Sequence, residues 1–180
     1  MRKVFFLAAI ALIIISCNNK ASTETATTTE PAKDTINYAY LPDGHDPDYW
    51  MPGDMKNAAL ALNAIKGWET GNIDMAVSTM ADTVVWKSDG FSGKVSKDTL
   101  RANLIDFWAN TSNVKVMMGD YESVISKDKK EEWVTVWYKQ IVTDKKGKMD
   151  SASVVDDIKI ENGKITVMDE KQRKFPVPKK

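Results

Sequence analysis

Two aspartates near the C-terminus, Asp156 and Asp169, flank an Asn162-Gly163 dipeptide. Both positions of that dipeptide tolerate φ > 0, so it closes a two-residue hairpin and aligns its arms. Glu161 then faces Lys164, Ile160 faces Ile165, Ile158 faces Val167 and Asp156 faces Asp169. The preceding hairpin turns at Lys146-Gly147, and pairing Lys145 with Lys148 sets Trp137 opposite Asp156 and Thr135 opposite Ile158. One face of three strands therefore ends in a row of Trp137, Asp156 and Asp169. Two neighbouring carboxylates in a water-poor site cannot both ionise cheaply, so one keeps its proton near neutrality. Such a pair, Asp156 with Asp169, is a candidate acid–base relay for a bound organic molecule. Trp86 and Trp137 are candidates for a flat apolar wall against that molecule. The structural alternatives are a hydrated or lysine-paired sheet rim for the aspartates and core packing for the tryptophans. A bulge would shift this register by one residue.

The elements that must hold these residues are legible from periodicity and caps. Asp54 caps a helix with the apolar stripe Ala58, Ala61, Leu62, Ile65 and Trp68, and Gly71 ends it. Asn72 caps a shorter helix carrying Ile73, Ala76, Val77 and Met80. A strand at 83–88 puts Val84 and Trp86 on one side. Gly90-Phe91-Ser92-Gly93 reads as a turn, and Ser96 caps a third helix bearing Leu100, Leu104, Phe107 and Trp108. Strand patterns at 114–125, 131–143 and 149–160, with a last strand from 164 to about 172, complete the chain. Helices followed by a meander of long antiparallel strands make an α+β domain over 54–175.

Ahead of that domain the composition changes twice. Residues 36–53 set Tyr38, Tyr40, Tyr49 and Trp50 among Pro, Gly and Asp, which suggests an aromatic strap; its Asp43, Asp46 and Asp48 lack the glycine and glutamate of a calcium loop. Residues 17–35 offer almost nothing to bury and read as a flexible tether. The chain begins with Arg2 and Lys3, then an apolar run from Val4 to Ile15, and then Ser16-Cys17. A charged start, a short apolar run and a small residue before the cut are the parts of an export signal. Ile14-Ile15-Ser16-Cys17 resembles the lipobox of bacterial lipoproteins, so residues 1–16 are expected to be removed and Cys17 lipidated. The twelve-residue apolar run is too short to span a bilayer as a stable helix. Cys17 is the only cysteine, which excludes an intrachain disulfide, and the expected lipid on its sulfur would exclude thiol catalysis and cysteine-ligated metal as well. Without Arg2 and Lys3 the 25 basic residues become 23 against 25 acidic, a net charge of −2. That balance argues against nucleic acid as a partner. The expected location is the cell envelope, lipid-anchored outside the cytoplasm on the inner or outer membrane. Residues 176–180 form a basic tail.

The stretch Asn57–Phe175 resembles the nuclear transport factor 2-like superfamily, in its SnoaL-like branch. The resemblance is carried by Trp68-Glu69-Thr70-Gly71-Asn72-Ile73-Asp74, by Ala81-Asp82-Thr83-Val84-Val85-Trp86 with Asp89-Gly90, and by Val155-Asp156-Asp157-Ile158 through Gly163-Lys164-Ile165. It implies a cone of helices against a strongly curved antiparallel sheet, a ligand pocket inside, and often a homodimer. Some members are cyclases or isomerases with an aspartate as acid–base, and Asp156 aligns with that aspartate. Lys159 stands where those enzymes have arginine, and the domain has no histidine partner. The expected function is a membrane-tethered domain that binds a small, partly apolar ligand without cofactor or metal. The alternatives are an acid–base enzyme of cyclase, isomerase or hydrolase type, and a protein-docking adaptor.

Overall fold

The computed structural model describes residues 36–175. The expected signal, Cys17, the 17–35 tether and the 176–180 tail lie outside the described residues. From Tyr40 onward the described chain forms one compact unit. Its elements run β1 (Trp50–Pro52), α1 (Met55–Thr70), α2 (Ile73–Ser78), β2 (Met80–Ser88), β3 (Phe91–Ser96), α3 (Lys97–Asn110), β4 (Thr111–Ser126), β5 (Glu132–Asp144), β6 (Met149–Glu161) and β7 (Lys164–Lys174). No helix among the described residues is long and apolar enough to cross a membrane.

The helix ends form where their capping chemistry places them. The Asp54 carboxylate accepts from the Lys56 amide, the Asn72 side chain from Met75, and the Ser96 hydroxyl from Thr99, each satisfying an orphan donor of a first turn. Gly71 closes α1 at φ 68°, with its N–H on the Trp68 carbonyl. At Gly67, a Cβ would run into the backbone of Ala76, so α1 and α2 approach as closely as they do only because that side chain is missing.

The seven strands form one sheet in the order β1-β4-β5-β6-β7-β2-β3. All neighbours are antiparallel except β2 and β7. Helices followed by a strongly curved, mainly antiparallel sheet are the expected α+β architecture. Alanines 58, 61 and 64 of α1 let the helix sit close against Val84, Val134, Val136, Val154, Ile158 and Ile160 of the sheet. Each of these fully buried aliphatic side chains contributes roughly 1.5–3 kcal/mol. The Glu69 carboxylate at the end of α1 accepts from the Val116 amide at 2.8 Å and ties helix to sheet.

Two register details depart from the turn-based expectation. The β5–β6 turn does not pair Lys145 with Lys148: the Asp144 carboxylate accepts from both the Lys146 and Lys148 amides, and the Asp144 N–H donates to the Lys148 carbonyl. Thr143 therefore pairs with Met149, and Val136, not Trp137, lies opposite Asp156. The β6–β7 hairpin starts as expected, with Glu161 opposite Lys164 and Ile160 opposite Ile165. Thr166 then bulges, so Lys159 pairs with Val167, Asp157 with Asp169 and Asp156 with Glu170. Residues 91–96, expected to begin as a turn, form a strand that folds back on β2 after the Asp89-Gly90 turn.

Candidate functional site

The shifted registers decide what faces the helices. On β5 the inward residues are Val134, Val136, Tyr138 and Gln140; on β6 they are Ala152, Val154, Asp156, Ile158 and Ile160; on β7 they include Met168, Glu170 and Gln172. Toward Glu132 this face is solid core. Around Asp156 the polar residues Tyr138, Gln140, Glu170 and Gln172 enter this face, and they line a cavity of about 600 Å³. Ile65 and Trp68 of α1, Val77 of α2, and Leu100, Leu104 and Phe107 of α3 close its far side. Trp86 and Phe91 flank it from β2 and β3. The exposed lining residues Phe91, Thr99 and Asn103 mark its mouth. The aromatic wall is held in place: Trp68 and Phe107 stand 5.9 Å apart, and the Trp108 indole N–H donates to the Trp68 carbonyl at 3.0 Å.

Asp156 is the chemical centre of this cavity. It is 2% exposed. Its Oδ2 accepts from the Tyr138 hydroxyl at 3.0 Å, while its buried Oδ1 has no partner among the described residues. Burial above all, then the neighbouring Glu170, pushes its pKa up to about 7, although the Tyr138 hydrogen bond pulls the other way. Tyr138 is raised well above the ordinary tyrosine value by its own burial and by Asp156, so it stays a neutral donor. Glu170 is also raised by burial, opposed by a 2.7 Å hydrogen bond from the Gln172 amide and reinforced by Asp89. At neutral pH the inner face therefore carries two carboxyl groups on adjacent strands, each held on one side by a neutral donor. With its pKa raised toward neutrality, Asp156 has a carboxyl that can both take and return a proton through Oδ1.

Of the four candidate residues in the domain, the structure brings Asp156 and Trp86 into the cavity. Asp169 and Trp137 are corrected: both lie on the opposite face of the sheet. Asp169 faces Asp157, with Lys171 at 3.4 Å and Lys87 at 3.7 Å. Trp137 pairs with Val155 and Asp120 and is absent from the cavity lining. The turn-based reading misses Glu170, the true carboxyl neighbour of Asp156, and Tyr138, its hydrogen-bond donor. The alternation Val134-x-Val136-x-Tyr138-x-Gln140 would point to them once the β5–β6 loop is read as closed by Asp144.

No protein-family model matches this sequence, and no curated protein is similar to it. Solved structures are similar. An epoxide hydrolase of M. tuberculosis superposes with a TM-score of 0.55 at 11% identity, covering 66% of this chain and 84% of its own. A nuclear transport factor 2-like protein of unknown function from Burkholderia pseudomallei gives 0.52 at 14%, covering 66% and 91%. A polyketide cyclase-like protein of Xanthomonas campestris gives 0.51 at 10%, again covering 66% and 91%. The fold is nuclear transport factor 2-like. At these identities the likeness concerns the fold, and a nuclear transport factor 2-like cone serves unrelated chemistries. What this one does must be argued from its own cavity.

Proposed function

We propose that the domain binds a small, partly apolar organic molecule in the cavity, and does so at a membrane to which acyl chains on Cys17 tether it. One observation carries the binding reading: a cavity of about 600 Å³, apolar on its helix side, with an unpartnered buried carboxyl oxygen on its sheet side. Such a volume falls within the roughly 300–1,000 Å³ of small-molecule sites, which combine apolar walls with a few convergent polar groups. A core residue has no use for a carboxyl oxygen buried without a partner, which costs stability, whereas a ligand-binding residue does.

The state of Asp156 favours a second reading, in which the bound molecule is also transformed by proton transfer. That solved structures similar to this chain include an epoxide hydrolase and a polyketide cyclase-like protein supports this reading. Native mass spectrometry of the protein purified from its own cells is expected to show a retained small molecule. Leu104→Trp, which fills the cavity from α3, should release it. A wild-type protein that carries nothing and binds no member of a broad small-molecule library defeats the binding reading. Under the second reading, Asp156→Asn loses turnover by roughly 100-fold or more even at ligand concentrations that fill the cavity; unchanged turnover leaves binding alone.

A further inference from the structure

The charge content of the cavity narrows the chemistry of its occupant. Among the described residues, none of those lining it is lysine, arginine or histidine. Two are carboxylic acids, Asp156 and Glu170, placed opposite each other on β6 and β7. The cation with most influence on Asp156, Lys171, is paired to Asp157 and Asp169 on the other face of the sheet. An anionic ligand would meet two carboxyls and no counter-charge. A neutral ligand could accept from the lining amides of Gln140 and Asn103 or from protonated Asp156, but it would leave the ionised Asp156–Glu170 pair without a counter-charge. A positively charged ligand meets neither obstacle. The open oxygen of Asp156 lies ready for its charge, and the aromatic side chains of Trp68, Trp86, Phe91 and Phe107 in the lining are of the kind that weakly hydrated cations prefer.

We infer that the cavity takes an organic cation, an alkyl- or arylammonium, with the Asp156–Glu170 pair as counter-charge and the aromatic wall as its sleeve. This rests on the binding reading above and names the ligand class for the same site. A cation binds the ionised form of the pair, so occupancy should strengthen as the pair loses its proton. The groups that set this dependence are Asp156 and Glu170, with Tyr138 from β5, Asp89 from the β2–β3 turn, and Asp157 and Lys171 across the sheet. α1, α2 and α3 contribute no titratable side chain to the lining.

The test uses three probes of similar size on the full-length chain: the permanent cation benzyltrimethylammonium, the neutral ketone benzylacetone and the anion hydrocinnamate. Affinities are measured by titration calorimetry and by quenching of tryptophan fluorescence. The cation is expected to bind roughly tenfold or more tighter than either other probe. Its affinity should rise by about tenfold or more from about pH 5.5 to about pH 8.5. Because the probe does not titrate, the pH dependence belongs to the protein. Asp156→Asn with Glu170→Gln should erase both the preference and the pH dependence while the ketone still binds. A ketone or anion that binds as well as the cation, or a cation affinity independent of pH, overturns the inference and leaves the binding reading standing. If no probe binds and nothing co-purifies with the protein, both fall.

Discussion

At the scale of the residue, Asp156 shows what a buried carboxyl costs and why the cost points to function. Its pKa rises from an ordinary 3.8 to about 7 in the folded protein. Below pH 3.8 the group is protonated in both states and does not affect stability. As the pH rises toward 7, the unfolded chain sheds the proton while the folded one must hold it, so folding loses stability through this window. Over about three pH units the loss is on the order of 4 kcal/mol. Asparagine has the same shape, can accept from Tyr138 and never ionises. Asp156→Asn should therefore abolish this fall, leaving the variant more stable than wild type at about pH 8 and closer to it at about pH 4. Urea midpoints at the two pH values measure it. An equal gap at both would show that the carboxyl ionises freely, and would remove the basis for its acid–base role. Natural sequences retain destabilising groups of this kind chiefly where a site uses them.

At the scale of the element, one bulged residue decides which carboxyl joins Asp156. Without Thr166 out of step, the Asn162-Gly163 turn would carry Asp169 to that place; with it, Glu170 arrives and Asp169 turns outward. The two arrangements differ in a titration. Glu170→Gln removes a like charge and should move the Asp156 transition, followed by NMR of its side-chain carboxyl carbon, to lower pH by about half a unit or more. Asp169→Asn should leave it where it is. The reverse result would restore the unbulged register. The same contrast marks what the sequence makes legible. Helix ends can be read from Asp54, Asn72, Ser96 and Gly71, because a cap is a local hydrogen bond between neighbours in the chain. The Asn162-Gly163 turn can be read for the same reason. The Asp144-closed loop and the Thr166 bulge cannot, since the first replaces a commoner turn of similar composition and the second leaves no compositional trace. β3 escapes notice because Ser92 and Gly93 interrupt its alternation. The parallel pairing of β2 with β7 joins segments some eighty residues apart, beyond any local pattern.

At the scale of the whole molecule, the proposal to be tested is that a domain with no membrane-crossing helix among its described residues is held at a membrane. The sequence-based answer is covalent. The apolar run from Val4 to Ile15 has twelve residues, against the roughly twenty that a spanning helix needs. It ends on Ser16-Cys17, where cleavage would leave the only sulfhydryl at the new N-terminus. One acyl chain gives only reversible attachment; several, at about 0.8 kcal/mol per buried methylene, give attachment that persists through washing. The rival explanation is electrostatic, through the basic residues Arg173, Lys174, Lys179 and Lys180 near the C-terminus against anionic lipid. Salt separates them. Wild type should stay with the membrane fraction through a high-salt wash and leave it in detergent, because acyl insertion is not screened. Cys17→Ser should appear in the soluble fraction or accumulate with its first sixteen residues uncleaved. The substitution changes no residue of the compact unit that begins at Tyr40, so the variant should keep the wild-type urea midpoint, and its release could not be put down to misfolding. A processed Cys17→Ser chain that remains membrane-bound, and a wild type that salt removes, would together transfer the anchor from the cysteine to the basic residues.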